Sequence, residues 1–332
     1  MMLRMFLAAV AAFVVAGSVS AQGTLPAPAK VKVMATVNGR QITEAAVDRA
    51  LRPVPKENWD KARPEVLSFL TENALVDNYL ELLKIAVDPK DVDTQLDGFK
   101  KELVASKQDY AKALEKMEVT EAELKIEILN QIRWEKFVAQ QGTDDKLKKL
   151  YESSPEIFDG SLVRARHILI APETRDEAGK AATLKKITEI KGGIQTALAT
   201  SAAKVPADAD NLTKQKAFYK AADDAFSEAA RKHSTCPSKQ DGGTLPEFPR
   251  MGAMVEPFAK AAFSLPLYQV SEPIGTQFGY HLILVTSKKP GEAVKFDSIK
   301  GAILEVYGTR LREAVIEKMK ADPNTKIEYA KQ

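Results

Sequence analysis

Two stretches of the chain, LVRARHILI at residues 162–170 and YHLILVT at residues 280–286, each read as a β-strand. The first alternates in polarity, and the second is an apolar run that follows the turn signal Phe278-Gly279. Each strand carries one histidine, His167 and His281. Taken singly, a histidine inside an apolar strand is more often a hydrogen-bonded core residue than a catalyst. The two strands therefore indicate a β-sheet, but their histidines alone do not indicate a catalytic site.

The single cysteine makes a functional role for these histidines a stronger hypothesis. Cys236 lies in the polar turn STCPS, residues 234–238, between the two strands, and the only other histidine is His233. A chain with a single cysteine forms no intrachain disulfide. A thiol and two imidazoles on strands and loops of one small domain can converge, so we treat them as a candidate set.

The segment around these strands has an α+β texture, and we predict a domain over residues 153–290. Further helices and strands are expected on both sides of Cys236. They are a helix over Asp176–Ala203 interrupted at Gly192-Gly193, helices over Leu212–Ala222, Ala225–Lys232 and Glu256–Phe263, and a strand over Val270–Thr276. Together with residues 162–170 and 280–286, they predict a small antiparallel sheet flanked by helices.

Residues 31–152 are instead mostly helical. A strand at Val33–Val37 precedes an Asn38-Gly39 turn, and Thr43 is a plausible N-cap for a helix over Glu44–Leu51. Pro64 is expected as the first residue of a helix that runs to Ile85. Further helix starts are predicted at Asp88-Pro89 and at the capping box Thr120-x-x-Glu123.

The carboxy-terminal residues 291–332 cannot form a domain alone. An apolar stripe marks a helix over Phe296–Met319, and Lys326–Ala330 reads as a strand. One helix and one strand cannot bury themselves, so they must dock elsewhere. We expect them on the amino-terminal helices, with Val33–Val37 as the partner strand. The α+β domain would then be inserted in a mostly helical module formed by both chain ends.

Composition limits the function classes. The chain has 332 residues, enough for about two domains. A net charge of +3 over this length is too small to indicate binding to duplex nucleic acid. With 45% hydrophobic and 28% charged residues, a wholly disordered chain is excluded.

The amino terminus has the three parts of a secretory signal peptide over residues 1–21. Arg4 supplies the charge, Met5–Ala16 is apolar, and small residues lead to Ala21. Residues 22–30, QGTLPAPAK, read as a flexible tether. We therefore expect an exported, periplasmic protein that is soluble after cleavage and associates with the membrane only if the signal segment is retained.

From His167 to Val285 the sequence resembles a parvulin-type peptidyl-prolyl isomerase. The shared motifs stand in order: ARHIL, FSEAARKHSTCPSKQDGGTLPEF, GAMVEPFAKAAFSL and VSEPIGTQFGYHLILV. The flanks, with MATVNGRQIT and the KIEYA tail, resemble SurA- and PrsA-like exported foldases. The resemblance implies a rotamase that acts on X–Pro bonds, together with a chaperone role toward unfolded exported polypeptides.

Matching the motifs position by position implies a site. The catalytic positions fall on His167, Cys236, Thr276 and His281, expected to form one hydrogen-bond network. The apolar proline pocket falls on Leu245, Phe248, Met254, Phe258 and Phe278. The resemblance implies no covalent intermediate, and we expect no cofactor and no metal.

Several positions depart from the family pattern. Pro246 replaces a common glycine, the loop Phe248–Met254 is longer by about one residue, and Tyr268 stands where a turn glycine is typical. Tyr268 carries a steric cost if that turn needs positive φ. An extra piece over Ala199–Tyr219 has no assigned role. These changes touch the pocket rim and bear on catalytic efficiency.

Some parvulins select phosphorylated targets through a basic loop after the first histidine. Here Ile168–Asp176 reads ILIAPETRD, in which Arg175 stands alone against Glu173 and Asp176. A dianionic phosphate favours several Arg or Lys donors. The loop therefore predicts no phosphate-specific recognition.

Three other hypotheses stay open at this point. The first is a binding-only chaperone with a weak or inactive parvulin domain. The second is a thiol peptidase that uses Cys236 with a histidine as base. The third, a metal site, is the weakest because His167 and His281 lie far from Cys236 in the sequence.

Overall fold

The computed structural model describes residues 32–174 and 176–330. The predicted signal segment 1–21 and the tether 22–30 lie outside the described residues. The described chain forms two compact units, one from residues 32–147 with 301–330 and the other from residues 148–300. The predicted α+β fold class, with a mid-chain domain inserted between two parts of a helical module, is confirmed.

The unit built from both chain ends contains a three-stranded antiparallel sheet. Strands β1 (Val33–Val37) and β2 (Arg40–Thr43) form a hairpin, and β7 (Ile327–Tyr329) pairs with β1 from the other side. Asn38 and Gly39 turn the hairpin with φ of 48° and 86°. The predicted pairing of the chain end with Val33–Val37 is confirmed, because β1 offers its second edge to β7.

The helices begin where polar caps stand in the sequence. Thr43 caps α1, Asp88 caps α3, and Thr120 with Glu123 forms the capping box of α5. In chain order the helices are α1 (Glu44–Leu51), α2 (Trp59–Leu82), α3 (Pro89–Ala105), α4 (Tyr110–Met117), α5 (Glu121–Gln141), α6 (Asp144–Ser153), α7 (Glu177–Ala202), α8 (Asn211–His233), α9 (Glu256–Ser264) and α10 (Phe296–Ala321). None of those in the described chain is both long and apolar enough to cross a bilayer.

A core joins the two chain ends. Val315, Ile316 and Met319 of α10 pack with Leu70, Leu75 and Leu80 of α2 and with β1. A second cluster, Val92, Leu96, Leu124, Ile128 and Ile132, holds α3 against α5. The apolar residues of α10 from Leu311 to Met319 are therefore part of the core of this unit.

The mid-chain unit has a four-stranded antiparallel sheet in the order β4-β3-β6-β5. Its strands are β3 (Leu162–Ile170), β4 (Phe248–Pro249), β5 (Ile274–Thr276) and β6 (Gly279–Lys289). One apolar cluster lies under α7 and α8, including Ile187, Phe226 and Leu284. The other includes Phe248, Phe258 and Ile283 and lies with α9. The central strands β3 and β6 are thus covered on both faces.

Three sequence expectations for helices were wrong. Pro64 lies inside α2 rather than at its start, five residues after Trp59. Gly192 and Gly193 do not interrupt α7, because Ile187, Ile190 and Ile194 bury one face across them. The two helices expected over 212–232 are one continuous helix, α8.

Candidate active site

The two histidines come together because β3 and β6 are adjacent antiparallel strands. His167 is paired with Ile283 and Leu169 with His281, so the histidines stand on a diagonal of the same face. Their rings stack with centroids 5.5 Å apart and planes 20° apart. The two Nδ1 atoms lie 3.3 Å apart and form a hydrogen bond.

A hydroxyl lies at each outer end of this pair. Thr276 Oγ1 is 2.9 Å from His281 Nε2, and Ser238 Oγ is 3.0 Å from His167 Nε2. Ser238 belongs to a short 3-10 helix, Pro237–Asp241, between α8 and β4. The result is one continuous chain of four side chains, Thr276, His281, His167 and Ser238.

The expected network is corrected at Cys236. Within the part of the chain that the structure describes, its thiol makes no hydrogen bond, while its backbone N–H donates to Ser234 Oγ at 3.2 Å. The 3-10 helix begins directly after Cys236. That turn brings the hydroxyl of Ser238, two residues on, against His167. Ser238 was missed because a serine in a polar turn carries no signal of its own.

Both imidazoles are held neutral at pH 7. Burial lowers the pKa of His167 to about 4. Burial and the neighbouring His167 together lower the pKa of His281 to about 4. Desolvation disfavours the charged form, and a pair of adjacent imidazoles cannot both take up a proton cheaply. Each ring therefore carries one N–H and one acceptor nitrogen.

An apolar wall stands beside the histidine pair. The Phe258 ring meets His167 edge-on at 5.8 Å and His281 at 5.3 Å between centroids. Phe248 is buried in the same cluster, and Leu245 and Met254 pack against it while half-buried. Phe278 is not part of this cluster: its side chain is 50% exposed, and its backbone N–H donates to Thr276 Oγ1 at 3.1 Å. The structure thus brings four of the five expected pocket residues together.

The loop before β4 is tied to β3 by backbone bonds. His167 N–H donates to Gly243 O at 2.8 Å, and Leu245 N–H donates to Ala165 O at 2.9 Å. Gly243 has φ of 78°, and a Cβ there would lie 2.3 Å from His167 O. Only glycine fits this approach. The Gly242-Gly243 pair in the sequence therefore positions Leu245 beside the histidines.

Two arginines that the sequence did not single out hold the surroundings of the site. Arg166 forms a double hydrogen bond with Asp223 of α8, at 2.6 and 3.0 Å. Arg250, only 3% exposed, bonds both carboxylate oxygens of Glu256 at 2.7 and 2.6 Å. The second pair clamps the longer rim loop to the first turn of α9, two residues before Phe258.

The turn before β5 does hold Tyr268 at positive φ, 58°. Its ring stacks on Tyr219 with centroids 4.2 Å apart and planes 18° apart. Tyr219 ends the extra piece Ala199–Tyr219. A separate groove of about 300 Å³ is lined by that piece and its neighbours, including Leu198, Val205 and Phe218. None of its lining residues belongs to the expected site.

Comparisons with known proteins place the chain in a family. A model described as the PPIC-type PPIase domain matches residues 167–287, and one described as the SurA-like N-terminal domain matches residues 1–138. The foldase protein PrsA of Caldanaerobacter subterraneus subsp. tengcongensis is 29% identical over 284 residues, which are 82% of this chain and 78% of the relative.

Foldase protein PrsA 1 of Bacillus cereus is 31% identical over 245 residues, 73% of this chain and 66% of the relative. The crystal structure of the peptidylprolyl isomerase PrsA from Bacillus anthracis is 21% identical and aligns over 77% of this chain and 98% of its own, with a TM-score of 0.41. Taken with the two matched domains, the sequence relatives identify the chain as a member of the parvulin family: a PrsA-like foldase with a PPIC-type domain and a SurA-like amino-terminal domain.

Proposed function

We propose that the mid-chain unit isomerises X–Pro peptide bonds, using the histidine pair and the apolar wall as its site. The observation that carries the proposal is the edge-on contact of Phe258 with both neutral imidazoles. A proline ring would lie against Phe258, Leu245 and Met254, and its amide would lie beside the histidines.

The physical basis is the polarity of the planar amide. Resonance makes the X–Pro bond planar and polar, and rotation faces a barrier of roughly 18–20 kcal/mol. An apolar wall takes the amide partly out of water, which disfavours the planar form relative to the twisted one. Each ~1.4 kcal/mol of this difference is worth tenfold in rate. The two neutral imidazoles would lie beside the twisted amide as uncharged polar groups, and no bond to its carbon is formed.

No nucleophile is required, and the thiol is badly placed to be one. A peptidase needs a base within hydrogen-bond reach of its cysteine. His167 Nε2 instead faces Ser238, and His281 Nε2 faces Thr276. We therefore assign Cys236 a position at the site's edge and propose His167, His281 and Thr276 as the groups that contact the amide region.

The first experiment compares proline-limited refolding and X–Pro peptide exchange in matched variants. Phe258→Ala and Met254→Ala should each lower the isomerase rate by tenfold or more, whereas Cys236→Ser should change it less. Circular dichroism checks that each variant is folded. Met254→Ala should disturb the core less than Phe258→Ala, because Met254 is only half-buried. An acyl-Cys236 species trapped during turnover would overturn the proposal, as would complete loss of activity in folded Cys236→Ser.

We further propose that the substrates are unfolded or partly folded exported chains and that the helical unit binds them. Large apolar side chains on α2 and α3 are exposed there, among them Phe69 at 46%, Leu82 at 71% and Val104 at 74%. The signal-like residues 1–21 support export to the periplasm. The alternative is a binding-only chaperone, and it predicts full aggregation suppression with no X–Pro turnover in the intact chain.

Phosphate should not be part of the recognised motif. The loop after β3 carries Glu173 and Asp176, and Asp176 is used to cap α7 through Gly179 N–H. Exchange rates measured on Ala-Pro, Glu-Pro and phosphoSer-Pro peptides should be enhanced for the first two. Enhancement confined to the phosphopeptide would contradict this part of the proposal.

A further inference from the structure

Arg166 is the neighbour of His167 on β3, but its side chain lies on the opposite face of the sheet. His167 contacts Phe258 on one face, whereas Nε and Nη2 of Arg166 donate to the two carboxylate oxygens of Asp223 in α8, at 2.6 and 3.0 Å, on the other. The guanidinium is therefore out of reach of a peptide that lies against the histidines. Any effect it has on such a peptide must act through other residues.

The third nitrogen of Arg166 contacts the turn at residues 241–244, which follows the short 3-10 helix. Nη1 donates to the carbonyl oxygens of Asp241 and Gly242, at 3.1 and 3.3 Å, and also to the Thr244 hydroxyl. That hydroxyl donates in turn to Asp241 O at 2.7 Å. One planar guanidinium thus joins β3, α8 and this turn.

The same turn is enclosed on its other side by α8. Gly242 has φ of 64°, and a Cβ there would lie 2.9 Å from Ser227 Oγ of α8 and 3.3 Å from Nη1 of Arg166. The carbonyl oxygens at the end of a helix carry partial negative charge, which a cation stabilises. Because Asp223 binds the guanidinium through both of its oxygens, it fixes the orientation of that cation.

The turn leads directly into the proline pocket proposed above. Leu245 follows Thr244, and its N–H donates to Ala165 O at 2.9 Å. Its half-buried side chain packs against the apolar cluster that contains Phe258. Met254 comes from the loop after β4 and Phe258 from α9, so Leu245 is the pocket residue that this turn carries into place.

From these contacts we propose that Arg166, oriented by Asp223, is a positioning residue for the substrate, because it holds the turn at residues 241–244 and thereby places Leu245 in the pocket. The proposal rests on the proposed isomerase function. Rotation about the X–Pro bond leaves the proline ring itself unchanged, so Leu245 should contact the ring equally in the planar and the twisted state. A contact that is equal in both states acts on KM rather than on kcat.

Kinetics on X–Pro peptides, with circular dichroism as the check of folding, test this role in the intact chain. Arg166→Lys keeps the charge but not the planar fork, so KM should rise about fivefold while kcat stays within about twofold. Asp223→Asn should raise KM in the same direction, because the guanidinium loses its charged partner. Wild-type KM in Arg166→Lys would overturn the proposal, and so would a loss of kcat with unchanged KM.

Arg164→Leu is the matched control for these variants. Arg164 lies on the same strand and forms an exposed pair with Glu247 at 3.2 Å, which is worth about 1 kcal/mol or less. Its KM should equal that of the wild type. A rise in KM as large as that of Arg166→Lys would mean that any lost arginine on β3 has this effect, and the proposal would be wrong.

Amide exchange separates the contact of Arg166 with the turn from the isomerase activity. In folded Arg166→Leu the N–H of Leu245 should exchange faster, because the turn before it has lost its anchor. The N–H of Ile283 in the buried part of β6 is the internal control and should keep its protection. Unchanged protection of Leu245 overturns the proposal. If the wild type has no X–Pro turnover but Leu245 loses protection in the variant, the proposed function fails and the anchoring of the turn by Arg166 stands.

Discussion

In the unit built from both chain ends burial strongly raises the pKa of two carboxyls, whereas in the mid-chain unit burial strongly lowers the pKa of two imidazoles. Burial raises the pKa of Asp77 to about 6, although Arg40 beside it opposes the shift, and raises the pKa of Glu127 to about 8. Burial lowers the pKa of His167 and of His281 to about 4. In every case desolvation favours the neutral form, which for a carboxyl is protonated and for an imidazole is not.

The same physical cause therefore gives the two units opposite responses to pH. A carboxyl whose folded pKa is raised contributes stability below its unfolded pKa, and this is lost as the pH rises through about 6 for Asp77 and about 8 for Glu127. A histidine whose folded pKa is lowered keeps its stability above about pH 6.5 and loses it as the pH falls toward 4. Mild acid should therefore stabilise the unit built from both chain ends and destabilise the mid-chain unit.

Asp77 and Glu127 form a carboxyl cluster that lies between elements of the unit built from both chain ends and not on its open surface. Asp77 of α2 accepts from Arg40 of β2 and from Asn130 of α5, each at 2.9 Å. Arg40 also reaches Glu81 at 2.7 Å. Glu127 lies one turn before Asn130, and its Oε1 is buried with no hydrogen bond among the described residues. A lone buried carboxylate oxygen is the reason that protonation is favoured there.

The largest effect should come from breaking this cluster with Arg40→Leu. Removing one partner of a buried ion pair leaves Asp77 charged and uncompensated, at about 3–5 kcal/mol near pH 8. The loss should be much smaller at pH 5, where Asp77 is protonated. Both tryptophans, Trp59 and Trp134, lie in the helical unit, so tryptophan fluorescence in urea reports on it alone.

Lys136→Leu is the matched control for that measurement, because Lys136 of α5 pairs with Asp91 of α3 at 3.0 Å and both side chains are half-exposed. An exposed pair of this kind is worth about 1 kcal/mol or less. Equal losses for Arg40→Leu at pH 5 and pH 8 would show that the guanidinium acts by packing rather than by pairing with Asp77.

Glu127→Gln should do the opposite and stabilise the helical unit at high pH. The amide keeps the shape and removes the cost of ionising a buried carboxyl, which is roughly 4 kcal/mol at pH 8 for a pKa raised from 4.5 to about 8. The gain should vanish below pH 5. Urea midpoints recorded from pH 4.5 to 8.5 check this, and a variant that tracks the wild type at every pH would contradict the role given to Glu127.

The mid-chain unit should lose about 3 kcal/mol between pH 6.5 and pH 4 for each of its two buried histidines. Amide exchange, corrected for intrinsic rates, follows this in the buried β6 residues Leu282, Ile283 and Leu284. Amides of Leu75 and Ile128 in the other unit serve as the internal control and should become more protected over the same range. If amide protection changed in the same direction in β6 and at Leu75 and Ile128, the proposed opposite pH responses of the two units would be wrong.

The sequence predicts local features of both units well and their long-range polar contacts poorly. Strand β3 and the caps at Thr43, Asp88 and Thr120 follow from alternation and from side chains that bond their own neighbours. The Gly192-Gly193 break was wrong because packing of Ile190 and Ile194 outweighs the roughly 1 kcal/mol that each glycine costs a helix. Contacts such as Arg40 with Asp77 join residues far apart in sequence, and no local pattern marks them.

In the candidate site, too, the sequence predicts the residues on regular strands but not those placed by long-range contacts. His167 and His281 could be placed on one sheet because each stands in a recognisable strand. Ser238 could not, because its contact with His167 depends on how a 3-10 turn after Cys236 is oriented. The clamp between Arg250 and Glu256 was missed for a related reason, since only burial distinguishes that arginine from a surface one.

The smallest effect concerns the extra piece Ala199–Tyr219 of the mid-chain unit. Among the described residues, Tyr268 of this unit is the one aromatic residue at positive φ. Tyr268 at positive φ costs on the order of 1 kcal/mol, and its stack on Tyr219 offsets about as much. Tyr219→Leu should therefore lower the stability of this unit by about 1 kcal/mol, while Leu212→Ala, at an exposed position of α8, should change little. Tyr268→Gly relieves the strain but loses the stack, so it should be nearly neutral in the wild type and stabilising in the Tyr219→Leu background. A double-mutant cycle from amide exchange in β6 measures this coupling, and additive effects would mean that the stacked ring does not compensate the strained turn.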